Sequence, residues 1–317
     1  MKILVTGGAG FIGSHLCQRL LEKNHQVICV DNFLTGCKKN VDNLLSNKQF
    51  NLIEHDIAKP LKKIEAIDAV FHLASPASPN HHSRLSFHAL PMETMTANTT
   101  GTMELLKLAK KNRAKFLFAS TSEVYGDPEV HPQPENYFGN VSTTGPRSVY
   151  DEAKRFGETI TTYYHRVEKV DSRIARIFNT YGPRMLKADM RMIVNFINQA
   201  TANKPITIFG DGQQTRSLCY IDDLVEGMVR LMFYPKTSGE IVNLGSTEEL
   251  TVSEYAKLVK KITKSNSEIV FSEKLPVDDP KKRKPDITKA IRILKWSPKV
   301  SLEEGIKKMI NYLHNNN

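Results

Sequence analysis

Tyr150 and Lys154 stand four residues apart in the segment Ser148-Val-Tyr-Asp-Glu-Ala-Lys154. On a helix this spacing puts both side chains on one face, one turn apart. An ammonium beside a phenol favours the phenolate and lowers the tyrosine from its ordinary pKa of about 10. Such a tyrosine can take the proton of a substrate hydroxyl, provided a neighbouring group accepts the hydride. Chance Tyr-x-x-x-Lys pairs on amphipathic surface helices are common, so the pair needs support from elsewhere in the chain. Some comes from just upstream, where an apolar run at 115–120 reads as a buried strand leading into Thr121, Ser122 and Glu123.

The first residues indicate the hydride acceptor. Lys2-Ile-Leu-Val-Thr6 reads as a buried parallel strand. Gly7, Gly10 and Gly13 follow at once, and residues 14–23 have helical apolar spacing. Strand, glycine turn and helix are the context a pyrophosphate needs. Gly7 permits the tight turn, Gly10 lets backbone approach the phosphates, and Gly13 packs helix on strand. A second strand, residues 26–31, ends in Asp31, eighteen residues after Gly13. That is the expected place for a carboxylate that binds the adenosine ribose hydroxyls. Its charge would repel a 2′-phosphate, so NAD is expected rather than NADP.

These elements belong to an alternating series. Residues 51–56, 69–74 and 115–120 read as further strands, 92–111 and 148–168 as helices, and 173–178 as the next strand. The alternation predicts an α/β fold with a doubly wound parallel sheet. Asp56, Ala74 and Ser120 fall at strand C-terminal ends, where such sheets bind ligands. After residue 178, loops rich in Gly, Pro and Asn alternate with short helices. The expected organisation is a dinucleotide-binding domain over 1–178 and a smaller, discontinuous α/β substrate domain over 179–317. Segments near 217–244, namely 220–233 and 241–244, are expected to return to the sheet.

The chain has 317 residues and a net charge of +10. Its basic residues are scattered and lack basic–aromatic interleaving, so an anionic small substrate explains the charge better than nucleic acid. No stretch approaches about 20 apolar residues, so no membrane span is expected. The first strand begins at residue 2, leaving no room for a signal peptide, and a cytoplasmic setting is expected. None of the four cysteines, Cys17, Cys29, Cys37 and Cys219, forms a close metal-ligand pair with another. No disulfide is assigned, and Cys17 and Cys29 read as core residues. The pair His81-His82 has no acid at ligand spacing and reads as a solvated loop, so no metal is expected. The Asn315–Asn317 tail is expected to be disordered.

Assembled, these residues resemble the extended short-chain dehydrogenase/reductases that modify nucleotide sugars. The shared features are the glycine triplet, Asp31, Asp56, His72-Leu-Ala74, Asn98-Thr-Thr-Gly101, Ser120-Thr-Ser122, Tyr150 with Lys154, and Arg176-Ile-Phe-Asn179. Longer runs at 73–79, 120–132, 182–184, 214–216 and 278–286 are similar to the UDP-glucuronate decarboxylase branch. One departure is Cys37, where a basic residue is expected after Thr35-Gly36.

The resemblance implies a Rossmann fold, a UDP-sugar substrate, a homodimer and a decarboxylation through a 4-keto intermediate. Tyr150 would be the base, with Lys154 lowering its pKa and binding the nicotinamide ribose. Thr121 would hydrogen-bond the 4-oxygen. Glu123 would face the substrate carboxylate, position water or relay the proton to C5; the residues leave these open. Arg283, in the basic run Lys281-Lys-Arg-Lys284, is expected to reach into the sugar site and bind the carboxylate or stabilise developing charge. The implied cofactor contacts add Phe11, Ile12, Asn32, Asp56, Ile57, Leu73 and Ala74 to the glycines and Asp31. The implied substrate contacts are Ser122, Asn179, Arg184, Arg191, Phe209, Gln214, Arg216 and Arg283. The competing reading is a nucleotide-sugar 4-epimerase or 4,6-dehydratase, which would use Tyr150, Lys154 and NAD in the same way.

Overall fold

A computed structural model describes residues 1–61, 64 and 66–315; residues 316 and 317 of the asparagine tail lie outside it. The apolar runs of the first half form β1 (Lys2–Thr6), β2 (Gln26–Asp31), β3 (Phe50–Glu54), β4 (Ala69–His72), β5 (Lys115–Thr121) and β6 (Ser172–Ile177). Shorter strands follow: β7 (Thr180–Tyr181), β8 (Ile206–Phe209), β9 (Thr215–Ser217), β10 (Cys219–Tyr220), β11 (Ile241–Leu244), β12 (Glu249–Thr251) and β13 (Ile269–Glu273). Among the described residues, seven strands make one parallel sheet in the order β11-β6-β5-β4-β1-β2-β3. The order reverses between β1 and β4, the switch point at which such sheets open a crevice.

The sheet is covered on both faces, which is why its strands are apolar at successive positions. Ile3 and Val5 point into one core layer and Leu4 into the other. The helices are α1 (Phe11–Glu22), α2 (Pro91–Thr96), α3 (Thr102–Asn112), α4 (Ser148–Arg166), α5 (Met192–Thr201), α6 (Ile221–Phe233), α7 (Val252–Thr263), α8 (Thr288–Leu294) and α9 (Leu302–Asn315). Leu16 and Leu20 of α1 share the first layer with Leu224 and Met228 of α6. Leu105, Leu106 and Ala109 of α3 fill the second.

Of the two segments expected to return to the sheet, 220–233 does so as a helix packed on one face, Ile221–Phe233, which is α6. Its buried Ile221, Leu224, Val225, Met228 and Val229 recur at helical spacing, and Asp222 and Asp223 favour its N-terminus. Ile241–Leu244 joins as a strand, beside β6. The helix expected over 92–111 is instead α2 and α3 joined by a π-helical turn, Ala97–Gly101. There the Asn98 amide donates to Ser75 Oγ and to the Thr94 carbonyl, both at 2.8 Å.

Candidate active site

The C-terminal ends of β1, β4 and β5 open into a cavity of about 450 Å³. Its first wall is the turn after β1. Gly7 has a φ of +70°, and a Cβ there would lie 2.8 Å from the Ala74 backbone. A Cβ on Gly13 would lie 2.1 Å from the Gly7 carbonyl oxygen, so the helix meets the turn only because residue 13 is glycine. α1 begins with no acid in its first turn, and its N–H end lines the cavity at Gly10, Phe11, Ile12 and Gly13. Such an end attracts an anion. Asp31, at the end of β2, accepts hydrogen bonds from the N–H groups of Ala9 (2.9 Å) and Phe33 (2.8 Å). Burial raises its carboxyl, against those bonds. Two bonds leave a carboxylate with lone pairs for a ligand diol. Asn32, Asp56, Ile57, Leu73 and Ala74 complete the wall. These residues fit a dinucleotide.

The opposite wall is α4, fastened to the sheet by buried polar groups. Glu158 accepts from Ser120 Oγ at 2.6 Å and pairs with Arg176 at 2.7 Å. α4 thus seats Tyr150 and Lys154 beside Thr121. Tyr150 is hydrogen-bonded to Thr121, and its ring stacks on Phe87 with centroids 4.9 Å apart and planes at 8°. Lys154 Nζ donates to the Ala119 carbonyl at 2.8 Å and lies 5.8 Å from the Tyr150 ring centroid. The expected lowering of the phenol by the ammonium is therefore not seen. Burial pushes the Tyr150 phenol up to about 12, only partly offset by the Thr121 bond. Burial pulls the Lys154 amine down to about 7. Each shift is desolvation of the charged form.

Past Thr121 the chain turns through Ser122–Tyr125, with Thr121 Oγ1 accepting the Glu123 N–H at 3.2 Å. Two guanidiniums converge on one Glu123 oxygen: Arg147 Nη2 at 2.6 Å and Arg283 Nη2 at 3.0 Å. Arg147 also lies 3.5 Å from Asp279, which pairs with Arg216 at 2.7 Å. Burial would raise the Glu123 carboxyl, but Arg283, Arg147 and Arg216 together hold it well below its ordinary value. Asp151 moves the other way, raised by burial and by the Glu123 charge against the pull of Arg147.

The sequence profile of the family described as GDP-mannose 4,6 dehydratase matches residues 4–309. UDP-glucuronic acid decarboxylase 2 of Arabidopsis thaliana is 50% identical over 98% of this chain and 67% of its own length. UDP-glucuronic acid decarboxylase 1 of Xenopus tropicalis is 49% identical over 98% of this chain and 72% of its own. The chain belongs to the UDP-glucuronic acid decarboxylase family. That family is a branch of the extended short-chain dehydrogenase/reductases. Among solved structures, UDP-glucose 4-epimerase of Thermotoga maritima, with UDP-glucose, superposes with a TM-score of 0.89 at 32% identity, covering 100% of this chain and 99% of that one. UDP-glucuronic acid 4-epimerase of Bacillus cereus, in complex with UDP-4-deoxy-4-fluoro-glucuronic acid and NAD, gives 0.89 at 34% identity, covering 100% of both chains.

In this decarboxylase-family chain, Ser122, Asn179, Arg191, Phe209, Gln214 and Arg216 line the same cavity as Thr121, Glu123, Tyr150 and Lys154. Two arginines depart from expectation. Arg283 is not among the lining residues; it is 1% exposed and donates to the Ser122 carbonyl at 2.8 Å as well as to Glu123. It backs Glu123 rather than reaching the sugar site, because a carboxylate and a carbonyl already engage its fork. Arg184 does line the cavity but turns toward α1, donating to Gln18 Oε1 at 2.5 Å, so it stands on the glycine-turn side, away from Arg191 and Arg216. Sequence reasoning missed Arg147, which lines the cavity beside Glu123, and Phe87 under Tyr150. Arg147 precedes Tyr150 by three residues, a helical spacing that could have revealed it. The acid not found near His81-His82 arrives from a distance: Glu273 lies 3.1 Å from His82 and 3.6 Å from His81.

Proposed function

We propose that this chain decarboxylates UDP-glucuronate to UDP-xylose through a 4-keto intermediate, with NAD⁺ reduced and reoxidised within one turnover. The observation that carries this reading is Glu123, held ionised between Arg147 and Arg283 at the cavity wall beside Thr121 and Tyr150. Bound at the glycine turn and Asp31, NAD⁺ supplies a two-electron acceptor for the C4 hydride and a store from which it returns. Tyr150 takes the C4 hydroxyl proton, with Thr121 holding that oxygen; burial disfavours its phenolate in the empty site, and the cationic nicotinamide of bound NAD⁺ would supply the positive charge that favours it. A ketone at C4 makes the substrate a β-keto acid. The electrons of the breaking C5–carboxylate bond then flow into the carbonyl as CO₂ leaves. Glu123, kept anionic by its arginines, is assigned to positioning the water that supplies the C5 proton once CO₂ has left. The enolate takes a proton at C5 from that solvent water, leaving hydroxide to solvent, and Tyr150 returns its proton to the C4 oxygen as the ketone is reduced. Asn179, Arg191 and Arg216 are assigned to the diphosphate and nearby groups, Gln214 to the nucleotide, and Phe209 to packing on the uracil. Arg184 is assigned instead to the cofactor side.

The proposal extends to the whole molecule. Residues 1–178, with β11, constitute the dinucleotide lobe, and most of 179–317 the sugar lobe. The protein is a homodimer, with exposed Met92 on α2, Phe156 and Tyr163 on α4 and Val167 just after α4 at the interface. Its four free thiols suit a reducing cytosolic setting. Among the described residues no helix is long and apolar enough to cross a membrane.

Incubation with UDP-glucuronate and NAD⁺ tests the chemistry. CO₂ and UDP-xylose should form with wild type and not with Tyr150→Phe. Conversion to UDP-galacturonate without CO₂ would replace decarboxylation by 4-epimerisation, the reading to which the epimerase neighbours lend support.

A further inference from the structure

We propose that His81, His82 and Glu273 form a site for a divalent transition metal, which clamps the mouth of the cavity. Their three ligand atoms lie within 4.8 Å of one another. One Glu273 oxygen is 3.1 Å from His82 Nε2 and 3.6 Å from His81 Nε2. A tetrahedral ion with bonds of about 2.0 Å holds its ligand atoms roughly 3.3 Å apart, so small side-chain movements complete the site. Two imidazoles and a carboxylate, with room for water at a fourth position, suit zinc, nickel or copper.

The ligands come from anchored backbone. The loop carrying the histidines is tied to residues 188–190 by Ser78 to the Asp189 carbonyl (2.8 Å), Asn80 to the Met190 carbonyl (2.7 Å) and Ser83 to the Ala188 carbonyl (2.5 Å). Asn80 also accepts the His82 N–H at 2.9 Å, which fixes the turn between them. On the other side Glu273 ends β13, paired with Phe209 of β8, and its carbonyl accepts the Gly210 N–H at 2.6 Å. The Phe209 ring stands 6.0 Å from His81 and 6.2 Å from His82, bracing both imidazoles.

A bare histidine–glutamate pair on the surface is weak and needs only one imidazole. Here a second imidazole turns toward the same carboxylate. His81 lines the cavity, as do Leu275 and Pro276 just after Glu273. A metal bonded across these segments ties two walls of the cavity together at its mouth and slows ligand exchange.

Zinc titrated into chelator-stripped protein by calorimetry tests the site without any turnover. Wild type should bind one equivalent. Glu273→Gln, and a His81→Ala/His82→Ala double variant, should each weaken binding by about tenfold or more. Cobalt in place of zinc should give visible absorption in wild type alone. Unchanged zinc affinity in both variants, or no binding by wild type, overturns the site. The clamp rests on the function proposed above, and a second measurement reads it separately. Zinc should inhibit CO₂ release by wild type, while Glu273→Gln should turn over normally and resist zinc. Zinc binding without inhibition would leave the site and overturn the clamp.

Discussion

Burial leaves the Lys154 amine poised near neutrality, with a pKa of about 7 against an ordinary 10.5. Between those values the unfolded chain holds a proton that the folded chain has released, so stability rises with pH across the interval. Lys154→Met lacks this dependence. Wild-type stability from urea unfolding should therefore climb relative to the variant between about pH 7 and about pH 9. A constant difference would mean that the ammonium is solvated. Arg147 and Arg283 offer a second contrast, since both hold Glu123 but only Arg147 lines the cavity. Arg283→Gln should lower kcat with little change in KM, and should destabilise the fold by about 3 kcal/mol because a buried ion-pair network loses a charge. Arg147→Gln should raise KM for UDP-glucuronate as well. Equal KM effects in steady-state kinetics would place Arg283 at the substrate after all. The Tyr150–Lys154 pair was legible because its geometry is local to one helix. Which arginine faces the cavity was not, since Glu123 and Arg283 lie 160 residues apart.

The elements that aim these groups depend on close approach. Gly157 lets α4 lie on β5, and a Cβ there would come within 2.2 Å of the Phe118 ring. Gly157→Ala must push helix and strand apart, at a cost of about 1–3 kcal/mol for overpacking. Thermal unfolding should register the loss, and catalysis should fall further than stability alone predicts, because Tyr150 moves with the helix. An unchanged melting temperature would show that Phe118 can give way. Continuous apolar runs made the strands through β6 readable, and period-3.6 spacing the helix α4. They left 220–233 without an assigned element, and the helical spacing of Leu224, Met228 and Leu231 makes it α6. They also missed the π-helical turn at Ala97–Gly101, a single-residue irregularity that leaves the amphipathic pattern nearly intact.

At the scale of the molecule, α4 presents Phe156 and Tyr163 to solvent at 40% and 47% exposure, with Val167 just past its end at 58%, and α2 presents Met92 at 62%. Apolar side chains grouped on one helical face call for a partner. Sedimentation should give twice the 35.8 kDa chain mass for wild type and a monomer for Tyr163→Arg. A wild-type monomer would sink the dimer, and a variant that still dimerises would move the interface. The parallel sheet itself was legible from alternation, but its far edge was only partly so: β11 returns to β6 after more than sixty residues of other structure. That return bears on synthesis. As the chain leaves the ribosome, β6 emerges with one side unpaired and stays so until Leu244 has been added. Throughout that interval it offers open N–H and C=O groups to any passing strand. The nascent chain is thus most exposed to misassociation while the sugar lobe is being made, before the active site exists.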